Sequence, residues 1–185
     1  MVGSVRLSSL ARSHVVVRYD DEVPRARAAV ERADAEYAVV VTSDGVPLGV
    51  LGRPQLAAPG TATLTALADR CPVLAVVGGE PDELHPDELV DLADLVVREG
   101  LAFVLVERDG LPSGVVPRAA IEQALPLDLP DGSAVRSGNP DVAALRYVCR
   151  KCAPPTFHLP RAPEGDGRPP HCRRVFFHGA MEPDA

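Results

Sequence analysis

The sequence predicts an α/β (α+β) fold made by duplicating one βαββα unit, with a small tail appended. Three observations predict it. An internal repeat runs through Leu125, valine-rich strand runs alternate with helically spaced apolar residues, and composition changes sharply after Leu125.

The 185 residues suffice for one well-cored body plus an appendage. An apolar fraction of 46% excludes wholesale disorder, and 4% aromatics with no Trp leaves Val, Leu and Ala to build the core. Residues 1–145 carry 12 basic and 22 acidic side chains, a net of −10, whereas residues 146–185 carry 7 and 4, a net of +3. An acidic body with a basic tail suggests two units with different partners. The N-terminus shows no basic stretch followed by an apolar leader, and no run approaches the ~20 apolar residues that span a bilayer. These features predict a cytoplasmic chain with no membrane contact. Thiols stay reduced there, so the cysteines read as metal ligands or core residues.

The repeat is clearest around two hairpins. At an offset of 65, Asp44-Gly45 falls on Asp109-Gly110, Pro47 on Pro112, Gly49-Val50 on Gly114-Val115 and Arg53 on Arg118. Each Asp-Gly predicts a tight turn between two apolar strands. Gly49 and Gly114 lie in the return strand, where a missing side chain marks close backbone approach. A short helix follows from about Arg53 and from about Arg118.

Upstream, each copy carries a strand and a helix. Val15-Val16-Val17 precedes Val23–Ala33, with Val23, Ala26, Val30 and Ala33 at helical spacing; Val73–Val77 precedes Leu89–Glu99, with Leu89, Leu92, Ala93 and Val96 on one face. Earlier still, Leu7-Ser-Ser-Leu10-Ala11 matches Leu64-Thr-Ala-Leu67-Ala68 at an offset of 57. The difference of eight residues predicts a loop insertion near Gly78–His85. The repeats span about residues 5–58 and 61–125.

A duplicated strand, helix, hairpin and helix, with a Gly-hydrophobic-hydrophobic step leaving the hairpin, resembles the tandem CBS (cystathionine-β-synthase-type) domain pair. The resemblance covers roughly residues 5–125. It implies a pseudo-symmetric, commonly dimeric, regulatory module, with clefts between the repeats that in many members take adenine nucleotides or S-adenosylmethionine. Ligand-binding members often carry Gly-h-h-Ser/Thr-x-x-Asp after the hairpin. Here Gly49-Val50-Leu51-Gly52-Arg53-Pro54-Gln55 and Gly114-Val115-Val116-Pro117-Arg118-Ala119-Ala120 lack both the hydroxyl and the acid. Ala120 offers a ribose no acceptor, whereas Gln55 offers one, and Arg53 and Arg118 offer charge to a phosphate. Gln55, Arg53 and Arg118 are therefore the candidate residues for an adenine-nucleotide cleft, against a solvated-face reading of both arginines.

After Leu125, residues 126–145 read as a linker and 146–185 as a tail stapled by metal. Cys149-Arg-Lys-Cys152 on a tight turn aims two thiolates at one tetrahedral ion, and Cys172 with His178 completes a Cys₃His set. His171 competes with His178, but chain neighbours in extended backbone point to opposite faces, which separates it from Cys172. His158 reads as mid-loop, and Cys71 as a core residue. The tail has too few apolar residues for a core of its own, so a structural zinc ion supplies the missing stability.

Three thiolates and an imidazole form a closed set with no open position, which is the structural kind of zinc site. No histidine is followed two residues later by Glu, and neither a Walker loop, a GxGxxG nor a nucleophile elbow occurs. The reading is a non-catalytic regulatory or adaptor protein, a homodimer through the repeats that binds another protein through the tail. The alternative is nucleic-acid binding through Arg150, Lys151, Arg161, Arg168, Arg173 and Arg174 with Phe176 and Phe177. The acidic body opposes that alternative.

Overall fold

The computed structural model describes residues 4–57, 63–68, 74–78, 83–125, 146–152, 155–160, 169–172 and 178–184. The first unit is β2 (His14–Arg18), α2 (Val23–Arg32), β3 (Tyr37–Val41), β4 (Pro47–Gly52) and α3 (Arg53–Ala57). The second is β5 (Leu74–Gly78), α5 (Pro86–Arg98), β7 (Phe103–Arg108), β8 (Leu111–Pro117) and α6 (Arg118–Ala124). In each unit the first strand lies parallel to the second, and the second pairs antiparallel with the third. The predicted βαββα duplication is therefore present strand for strand.

Local chemistry explains the elements. Proline occupies the first turn of both long helices, Pro24 in α2 and Pro86 in α5, where its missing N–H costs nothing. His85 caps α5, and its backbone N–H donates to Glu88 Oε2 at 2.7 Å as one arm of a capping box. Each helix stops on a left-handed residue, Asp34 (φ 47°) and Gly100 (φ 63°). The next N–H reaches back over the last turn, from Ala35 to the Val30 carbonyl and from Leu101 to that of Val96, both at 2.9 Å. This is the Schellman arrangement, used twice.

The hairpins differ by one residue. Asp109 and Gly110 both have positive φ, 53° and 74°, as a two-residue type I′ turn requires. In the first hairpin Thr42 N–H donates to the Val46 carbonyl at 2.8 Å and Gly45 N–H to that of Thr42 at 3.1 Å. That is a three-residue loop of Ser43, Asp44 and Gly45, with Gly45 left-handed at φ 80°. Before the turn the copies are thus related by 66 residues (Tyr37 to Phe103) and after it by 65 (Gly52 to Pro117). At the leading strands the relation is 60, Val16 to Val76. The single insertion expected near Gly78–His85 is corrected to three residues ahead of β5 and six between β5 and the helix. Part of that second stretch forms β6 (Glu83–Leu84) instead of loop, pairing with β1 (Val5–Arg6).

Three apolar clusters organise the body. Val17, Val23, Ala26, Val30, Ala38, Val40, Leu51 and Leu56 form the first unit's core, and Leu89, Leu92, Leu95, Val96, Val104, Val106, Val116 and Ile121 belong to that of the second. A third joins the opposite sheet faces: Val39, Val41 and Val50 meet Leu105 and Val115. The middle strands are therefore buried on both faces, which is why they read as continuous Val/Leu runs without alternation.

The segment preceding each unit packs on the other one. Leu7 of α1 (Leu7–Leu10) is fully buried in the second core, whereas Leu64 of α4 (Leu64–Ala68) is fully buried in the first. A buried leucine contributes about 1.5–3 kcal/mol, so the exchange ties the two units together. The path of the N-terminal arm explains Gly114. Arg12 N–H donates to the Val115 carbonyl at 2.8 Å, and a Cβ on Gly114 would stand 2.9 Å from Ala11 Cβ.

The tail does not stand apart. It contributes β9 (Tyr147–Cys149), β10 (Thr156–Pro160) and β11 (Glu182–Pro183), which extend the second sheet in the order β11-β9-β10-β5-β7-β8. β10 runs parallel to β5, from Phe157 opposite Ala75 to Pro160 opposite Gly78. Phe157 and Val148 are buried in the second unit's core. His158, expected in a loop, lies instead in β10. The linker at 126–145 and Cys71 lie outside the described residues. No helix among the described residues is long and apolar enough to cross a membrane.

Candidate metal centre

Cys149 ends β9, and the chain turns so that Cys152 N–H reaches back to the Cys149 carbonyl at 3.4 Å. This knuckle sets the first two sulfurs side by side, 3.7 Å apart. The other two groups come from a returning ladder, in which Cys172 N–H donates to the Gly179 carbonyl at 2.9 Å and Met181 N–H to that of Pro170 at 2.8 Å. Gly179 takes φ 73°, which lets the chain bend back immediately after His178.

The four groups converge. Cys152 Sγ lies 3.5 Å from Cys172 Sγ and 3.3 Å from His178 Nδ1, and that nitrogen is 3.5 Å from Cys149 Sγ and 3.9 Å from Cys172 Sγ. Every ligand atom is within 4.8 Å of every other. Four ligands at Zn–S of about 2.3 Å and Zn–N of about 2.0–2.1 Å stand about 3.5–3.8 Å apart in a tetrahedron, so the set fits such an ion. None of the three cysteines is in a disulfide, and all three are buried. His171 is exposed and bridges Ala180, on the far side of the ladder from Cys172, as alternation along extended backbone predicts.

Surroundings complete the centre. Met181 is buried in one cluster with the three cysteines, and Tyr147 packs against that cluster. Lys151 Nζ donates to the His178 carbonyl at 2.9 Å. Asp184, almost buried, pairs with Arg146 at 2.8 Å and Arg150 at 2.9 Å, pinning the chain end to the start of β9. Burial pushes the Cys152 thiol up to about 12, with a hydrogen bond to Thr156 opposing and the neighbouring Cys172 and Cys149 adding to it. The Cys152 thiol, so placed, stays protonated at neutral pH until a cation competes for its sulfur. Met181 and Asp184 carry no sequence signal for this role, because Tyr147, Cys149 and Cys152 on one side and Arg146 and Arg150 on the other lie about thirty or more positions from them.

The cleft candidates are separate from this centre, and each has an intrachain partner. Arg53 donates to the Ala35 carbonyl at 2.9 Å and to Asp34 at 2.8 Å. Gln55 Oε1 accepts the Gly52 N–H at 3.1 Å, the backbone arm of a helix cap for α3. Arg118 pairs with Glu122 one turn along α6 at 2.7 Å. Of the basic tail residues, Arg161, Arg168, Arg173 and Arg174, with Phe176 and Phe177, lie outside the described residues.

No family model matches the sequence, and no curated protein matches it. Solved structures do match. The CBS domains of a transcriptional regulator from Streptococcus pneumoniae share 18% identity over 64% of this chain and 98% of that one, with a TM-score of 0.45. The CBS domain of a membrane protein from Sphaerobacter thermophilus shares 20% over 67% and 90%, at 0.49. CBSX2, solved in complex with AMP, shares 16% over 64% and 94%, at 0.45. The chain is similar to CBS-domain structures. Roughly a third of this chain lies outside each of these CBS-like matches.

Proposed function

We propose that the chain is a non-catalytic regulatory or adaptor protein, in which the CBS-like pair is a dimerisation and small-ligand-sensing platform. Its tail is a zinc-stabilised element that engages another protein. The observation carrying this reading is the closed Cys₃His geometry of Cys149, Cys152, Cys172 and His178 on the edge of the second unit's sheet. Three thiolates and a nitrogen saturate a tetrahedral zinc ion, hold it without an open position and give it a structural role.

The deciding experiment is a thermal-shift titration with AMP, ATP and S-adenosylmethionine on zinc-loaded protein. A midpoint that rises with ligand by mass action supports sensing. A flat response to all three at millimolar concentration leaves an architectural pair and removes the sensing role. Salt-dependent retention on single-stranded nucleic acid at ~50 mM salt would replace the protein-partner reading of the tail by the nucleic-acid one.

A further inference from the structure

We propose that the metal centre is a clasp: its occupancy holds β10 on the β5 edge and so controls the second unit's sheet but not that of the first. The inference rests on the metal reading above and adds a regulatory consequence to it.

The two units offer the same edge and treat it differently. β2 and β5 are equivalent strands, each parallel to the second strand of its unit. β2 is the outer strand of its three-stranded sheet, and Val16 in it is 51% exposed. Its counterpart in β5, Val76, packs toward the cluster between the units, and β10 covers the outer edge. An unpaired parallel edge exposes backbone donors and acceptors, so with one edge covered and its twin unpaired among the described residues the two units are structurally unequal.

The ribbon that carries the cover is short, so the cation supplements the Phe157 anchor and the β10–β5 pairing in holding it. β9 has three residues and β11 two, and isolated ribbons of that length are marginal in water. Cys149 closes β9 and Cys152 sits in the turn that follows it toward β10, whereas Cys172 and His178 sit in the segment that returns to β11. One ion therefore ties the β9–β10 hairpin to the strand that closes it. Beyond the knuckle, β10 inserts Phe157 into the second core and lays His158 on the opposite face. There the His158 Nε2 stands 3.6 Å from where a Gly78 Cβ would be, and Gly78 pairs with the buried Glu107. Releasing the clasp withdraws an apolar anchor from one face and an imidazole from the other.

The test is hydrogen exchange by mass spectrometry on the full chain, zinc-loaded and after chelation, with Phe157→Ala as a companion. Chelation should raise exchange in residues 74–78 by about tenfold or more, while residues 14–18 change by less than about twofold. Phe157→Ala should keep one zinc per chain yet show the same fast exchange in 74–78. Loss of zinc with unchanged protection of 74–78 would overturn the clasp and leave the metal centre standing, as would a protected 74–78 segment in Phe157→Ala. A chain that takes up no zinc would overturn the metal reading, and the clasp with it.

Discussion

Tyr37 and Phe103 occupy the same position in the two repeats and stack on one another, edge to face, with ring centroids 5.1 Å apart and planes at 68°. They open the two middle strands, and each is related to the other by the 66-residue step that holds before the hairpins. Two equivalent residues touch only where they lie near the axis relating the copies, so this pair marks the pseudo-twofold. Burial, reinforced by the neighbouring Glu36 carboxylate, pushes the Tyr37 phenol up from its ordinary value.

The pair should be energetically coupled. A double-mutant cycle of Tyr37→Leu and Phe103→Leu, read by denaturant unfolding, should give about 0.5–1.5 kcal/mol of interaction energy. Additive single effects would show that the contact carries area burial alone.

Gly114 should tolerate no side chain. Its Cβ would stand 2.9 Å from Ala11 Cβ, so Gly114→Ala should cost about 1–3 kcal/mol through overpacking. Ala11→Gly in the same chain should recover most of that loss, because the clash is with that methyl group. A Gly114→Ala protein of wild-type stability would show that the N-terminal arm does not dock there.

Asp34 holds a left-handed φ of 47° with an exposed side chain, paired only across solvent with Arg53. Its equivalent in the second helix is already glycine. Asp34→Gly should be neutral to stabilising by about 0.5–1 kcal/mol in thermal unfolding, since relief of backbone strain outweighs a surface ion pair.

Metal content and pH should be linked. Elemental analysis should find about one zinc per chain, and Cys172→Ser should lose it. Acid should release the ion because protons compete for the three thiolates. Without metal the sign of the alkaline response follows from Cys152, whose folded-state value of about 12 exceeds the ordinary 9.0. Its contribution is complete below about 9 and disappears as pH rises toward 12. Apo protein should therefore lose stability over that alkaline window, as followed by tail hydrogen exchange or near-ultraviolet circular dichroism.

Features set by neighbouring residues were legible from residue order. Asp-Gly at 44–45 and 109–110 specifies left-handed turns through glycine's missing Cβ, and a Cys-x₂-Cys step with a later Cys and His specifies a tetrahedral donor set through ligand spacing and alternation. Gly45, Asp109 and Gly110 are left-handed, and Cys149, Cys152, Cys172 and His178 lie together in one group that His171 does not join. Three outcomes needed the folded chain. The exchange of Leu7 and Leu64 between the two cores, the merging of β10 with the β5 edge, and the occupation of Arg53, Gln55 and Arg118 by local partners join residues far apart in the chain or depend on which competing acceptor lies nearer. Residue order records what each segment can bury or bond. Only packing in three dimensions decides which of several apolar faces and open edges it meets, because burial is non-directional and the backbone bonds of a strand edge are the same whichever strand arrives.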